Sequence, residues 1–179
     1  MGVNLIAALW GFAEATLFFI VPDVWLTLAG RNNLRRGIIA CFYSLAGALV
    51  GGSAMYLWAQ HDPATALHIV EKIPAISTQM ASGVREALSD QGVLAVMLGP
   101  LSGTPYKLYA VQAASAGIGL GMFLLISLPA RLIRFLLVTI ISHYAVTGLS
   151  GLPPFHNRVR VLLIAWSVFY LGYFFVMPE

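Results

Sequence analysis

The chain has 179 residues, 59% of them hydrophobic and only 9% charged, where a soluble domain carries about 25% charged residues. That leaves too little polar surface to cover a water-soluble globule, and a mean hydropathy of +0.84 points to one all-α integral membrane domain over residues 1–179. The ten Lys and Arg behind the net charge of +3 are spread thinly, which argues against a nucleic-acid surface, and the single Cys41 has no partner for an internal disulfide.

The first apolar region runs from Leu5 to Gly30 and is broken by Glu14 and by Pro22-Asp23. It is not read as a signal peptide, because it lacks a basic n-region and Glu14 interrupts the hydrophobic run. Residues 37–60 follow as a transmembrane span, with no charge from Gly37 to Trp58. Residues 61–91 form the most polar stretch. Apolar positions at Leu67, Val70 and Ile73, and then at Met80, Val84 and Leu88, suggest two short amphipathic helices separated by Pro74. Such helices suit a membrane surface or a solvated loop.

The second broken region, 92–113, contains Gly99-Pro100 and Gly103-Thr104-Pro105. A further span is expected over 119–147, and a C-terminal span over 159–177. Proline removes a backbone donor and glycine lets the chain reverse. Each broken region therefore reads either as two half-helices meeting at a tip or as one kinked span. A half-helix of about 10 residues rises about 15 Å, which reaches the bilayer midplane.

Charge bias favours the tips. If both regions re-enter, Arg31, Arg35, Arg36, Arg158 and Arg160 lie on one side, and Lys72 and Arg85 on the other. If both regions cross, that bias is lost. The re-entrant reading also reveals an inverted repeat in which a hairpin plus span (5–60) is followed by a hairpin plus span (92–147). Broken helices meeting at the midplane are a transporter architecture.

Five charges fall within these apolar segments, namely Glu14, Asp23, Lys107, Arg131 and Arg134. A bare charge in hydrocarbon costs roughly 2.5–3.5 kcal/mol on the lowest scales, so the acids and bases are expected to face one another. Arg131 and Arg134, three residues apart, share a helix face. They can hold a phosphate through their planar forks or pair with the two acids. Glu14 and Asp23 are candidates for proton coupling. Lys107 reads either as a further substrate-binding cation or as a snorkelling side chain. Pro22, Gly103 and Pro105 mark the tips.

Gly103-Thr-Pro-Tyr-Lys-Leu-Tyr-Ala110, a small-residue linker, and Ser127-Leu-Pro-Ala-Arg131-Leu-Ile-Arg134-Phe135 together resemble the YqaA-type branch of the DedA/VTT membrane proteins (SNARE-associated Golgi protein-like). The acidic first hairpin, with Glu14 and Pro22-Asp23, is similar to that family's. The resemblance covers about residues 8–147 and is most specific over 99–135. Three departures stand out. The tip carries Lys107 where many members have arginine, the first turn lacks glycine after its proline, and the spacing from Glu14 to Asp23 is shorter. The resemblance implies a flippase or scramblase for a lipid or lipid phosphate, proton-coupled in some members, in a bacterial inner membrane.

Gly47-x-x-x-Gly51 suits close packing within the monomer or the seam of a homodimer. Gly117-x-Gly119-x-Gly121 follows no strand and is read as a linker. Trp166 and Tyr173 fit an interfacial belt or ordinary packing. The four histidines lack metal-ligand spacing, and Ser102 and Thr104 have no base nearby in sequence. No cofactor, metal or enzyme activity is expected. The alternatives to a transporter are a non-transporting structural or assembly protein and a membrane-embedded lipid phosphatase.

Overall fold

The structure is a computed structural model that describes residues 2–99, 103–148 and 156–176. Among these residues it is all-helical. The first broken region is α1 (Val3–Ala15) and α2 (Asp23–Gly30), followed by the long helix α3 (Leu34–His61). The polar connector holds α4 (Pro63–Glu71) and α5 (Thr78–Gln91). The second broken region is α6 (Val93–Leu98) and α7 (Tyr106–Ala113), followed by α8 (Leu120–Gly148) and α9 (His156–Val176).

Local chemistry sets these boundaries. Asn33, Asp62 and Ser77 cap α3, α4 and α5 by accepting the amides of Arg36, Thr65 and Met80. Pro22 sits at the N-cap of α2 with φ −65°, a position where its missing amide costs nothing. Gly103 takes φ +86°, which a side chain would disfavour, and Pro105 then leads into α7.

Two expectations change. Helices α2, α6 and α7 have 8, 6 and 8 residues, shorter than the half-helices expected, with residues 16–22 separating α1 from α2. Arg158 and Arg160, expected in a loop, fall in the first turns of α9, since no breaker follows Pro153-Pro154. The side chain of Arg158 lies outside the described residues, as do Pro100 and Ser102.

Helix α3 is the spine. Helix α1 lies along it so closely that a Cβ at Gly47 would overlap the Ala8 carbonyl oxygen, and one at Gly11 would overlap the Ser44 backbone. The Gly47-x-x-x-Gly51 motif is thus used to seat α1 within the monomer. Two apolar clusters form the core. One joins Leu26, Ala40, Cys41, Leu45 and Phe135, and the other joins Tyr56, Val70, Val84, Val96, Leu108 and Phe123.

Helices α3 and α8 are long and apolar enough to cross a membrane by length and composition. Large apolar side chains such as Val50, Leu125, Ile141 and Phe175 stand exposed. That exterior suits a hydrocarbon solvent better than water.

Candidate functional site

Glu14 occupies the last turn of α1, and Asp23 is the first residue of α2. An acid at a helix N-terminus is stabilised by the helix dipole. Arg131 and Arg134 follow Pro129 within α8. The structure pairs these residues one to one. Arg131 Nη2 donates to Glu14 Oε2, and Arg134 Nη2 donates to Asp23 Oδ2. Of the five charges expected to face one another, these four do so as two ion pairs.

The two pairs differ in their surroundings. Arg131 is sealed in, with its guanidinium carbon 4.3 Å from the centre of the Tyr106 ring and 5.2 Å from that of Phe135. Its Nε and Nη1 are buried and have no hydrogen-bond partner. Cation–π contact replaces part of the solvation these groups lose. Tyr106 is in turn stacked on Phe123 and donates its hydroxyl to Ser127 Oγ at 3.1 Å. Space for this ring depends on Gly52, where a Cβ would lie 2.5 Å from the Tyr106 hydroxyl. The Arg134 side chain is 23% exposed.

A cavity of about 510 Å³ opens beside the second pair. Glu14, Asp23, Lys107 and Arg134 line it, and Arg131 does not. Of the expected tip residues, Gly103 and Pro105 line it as well, while Pro22 acts as the cap of α2. Lys107 does not snorkel. It is buried, and its ammonium donates to the Phe18 carbonyl at 2.6 Å, inside the break between α1 and α2. One oxygen of Asp23, Oδ1, is buried without a hydrogen-bond partner.

The rest of the wall comes from residues to which the sequence assigns no site role, Trp166 and Tyr173 being belt or packing residues in that reading. Trp166, Phe169, Tyr170 and Tyr173 project from one stripe of α9. Trp166 Nε1 donates to Thr27 Oγ1 at 3.0 Å, and the Tyr170 hydroxyl accepts the Val21 amide at 2.8 Å. The i, i+3, i+4, i+7 spacing of these aromatics was the available signal. The connector also reaches the cavity, through the turn from Ile73 to Ile76, where Ala75 holds φ +64°. Nothing in the composition of residues 61–91 pointed there.

No family model matches the chain, and no solved structure matches it. The chain is 26% identical over 163 residues to an uncharacterized protein of Haemophilus influenzae, an alignment that covers 90% of this chain and 81% of that protein.

Proposed function

We propose that the chain is an integral membrane transporter of the DedA/VTT kind that moves a lipid or lipid phosphate across a bacterial inner membrane. One observation carries the reading. A cavity of about 510 Å³ with largely apolar walls gathers Glu14, Asp23, Lys107 and Arg134 at one place in a molecule whose exterior is apolar. Polar groups buried at membrane depth are costly and are kept where they serve a substrate or ion path. Residues 16–22, and Gly103 with Pro105, correspond to the expected tips of two re-entrant hairpins in an inverted repeat, and Lys107, just past the second, bonds to Phe18 in the first.

In this reading Arg134 and Lys107 receive the anionic head group. Arg134 offers a partly open planar fork for two-point contact, and Lys107 a point charge. Arg131 binds no substrate directly and holds Glu14 in place. Glu14 and Asp23 are the groups available for proton coupling. The test is reconstitution in liposomes with lipids of different head group, following head-group movement between leaflets. Movement above that of protein-free vesicles supports the reading, and its absence for every head group contradicts it.

A second reading, a structural or assembly protein, is favoured by the Arg131–Glu14 pair alone. That pair is enclosed by aromatic rings as a fold-holding contact would be. It does not account for the open cavity at Arg134.

A further inference from the structure

Resting on the lipid-transport reading above, we propose that the cavity takes a zwitterionic head group, a phosphodiester joined to an ammonium, in preference to a phosphate alone. The decisive juxtaposition is Asp23 beside Arg134, under the aromatic stripe of α9.

Asp23 is 1% exposed and lines the cavity. Its Oδ2 is held by Arg134, while Oδ1 has no hydrogen-bond partner. An ionised carboxylate only accepts, so this buried oxygen calls for a donor or a positive charge from whatever enters. Beside it, Trp166, Phe169, Tyr170 and Tyr173 of α9, with Phe19, face the same space. Ring faces carry negative potential and attract ammonium groups, most strongly when these are desolvated. The faces repel an anion, which only the ring edges and the Tyr170 and Tyr173 hydroxyls could accommodate. The cavity thus has an ammonium-seeking part, Asp23 with the rings, and a phosphate-seeking part, Arg134 with Lys107.

The existing ion pair decides between ligand classes. A phosphate that takes up the Arg134 fork competes with Asp23 for it. With a purely anionic head, Asp23 would then be a buried carboxylate robbed of its cation, a costly state unless a proton is taken up. A zwitterion supplies the missing cation itself. Its phosphate takes Arg134, its ammonium takes Asp23, and each half of the original pair stays compensated. No proton on Asp23 is then required.

The experiment measures binding of soluble head-group analogues to the purified full-length protein in detergent by titration calorimetry. The probes are glycerophosphoethanolamine, glycerophosphocholine, glycerol phosphate and inorganic phosphate. The zwitterionic pair should bind at least about tenfold more tightly than glycerol phosphate, a factor equal to about 1.4 kcal/mol. Asp23→Asn should abolish that ratio. Since Asp23→Asn also disturbs an ion pair, Phe169→Leu serves as a second variant. It removes a ring without touching the charges and should lower the ratio severalfold for the choline analogue. Glycerol phosphate binding as tightly as the zwitterions, a ratio unmoved in both variants, or no binding of any analogue would overturn the proposal. Lipid movement in liposomes reports separately on transport. Zwitterion binding without movement would sink the transport reading and leave this site standing. Movement of phosphate-headed lipids with weak zwitterion binding would sink this inference and leave transport standing.

Discussion

Lys107 donates its ammonium to the carbonyl oxygen of Phe18 at 2.6 Å, joining the first turn of α7 to the break between α1 and α2. Lys107 belongs to neither of the neighbouring ion pairs, Arg131–Glu14 and Arg134–Asp23. A buried ammonium held by a carbonyl and not by a carboxylate is poorly compensated. Lys107→Met, similar in volume, should therefore raise thermal stability in detergent, on the order of 1 kcal/mol. Head-group movement in liposomes should fall at the same time. A variant that unfolds earlier than wild type would show that Lys107 serves to hold the fold.

Glu14→Gln should destabilise the protein by roughly 3–5 kcal/mol, because it leaves Arg131 buried without a counter-charge. The rings of Tyr106 and Phe135 cannot replace a carboxylate. Combining Glu14→Gln with Arg131→Met should recover most of the loss, since the pair is then removed as a unit. Thermal unfolding of the two single variants and the double variant gives the coupling directly. A Glu14→Gln protein with wild-type stability and transport that no longer depends on pH would instead make Glu14 a coupling group free of any structural task.

That contrast shows how far the sequence reaches. Buried acids and bases must meet, so the gathering of Glu14, Asp23, Arg131 and Arg134 followed from cost alone. Which arginine takes which acid did not follow, because the pairing depends on how α1 and α2 lie against α8. The sealing of Arg131 also lay out of reach. It rests on the Tyr106 ring, which fits because Gly52 on a third helix leaves room. The helix breaks were visible as proline and glycine. The turn from Ile73 to Ile76 was not, since its place in the cavity wall is set by packing of the connector and by no local pattern.

Glycine positions give a paired prediction. At Gly47 a Cβ would overlap the Ala8 carbonyl oxygen, so Gly47→Ala should force α1 away from α3 and cost about 1–3 kcal/mol or more. At Gly83, inside α5, a Cβ meets nothing within 4 Å. Gly83→Ala should stabilise by about 0.4–1 kcal/mol through higher helix propensity and a more restricted unfolded chain. Chemical or thermal unfolding of both in detergent checks the signs. Equal effects at the two positions would mean that α1 does not seat on α3 as described.

The re-entrant arrangement predicts that positions 33 and 156 lie on the same side of the membrane. Asn33→Cys and His156→Cys, each in a background lacking Cys41, should react with a membrane-impermeant maleimide from the cytoplasmic face. Labelling from opposite faces would replace the two hairpins with crossing spans.

In the transport reading, Arg134 receives a lipid head group in the cavity. The most direct measurement is head-group movement in liposomes by Arg134→Lys, with thermal unfolding of the same preparation. Lysine keeps the positive charge opposite Asp23 but loses the planar two-point contact. Transport should be at least about tenfold slower, a barrier change of about 1.4 kcal/mol, with the unfolding temperature little changed. Transport at the wild-type rate in a folded Arg134→Lys protein would contradict that reading.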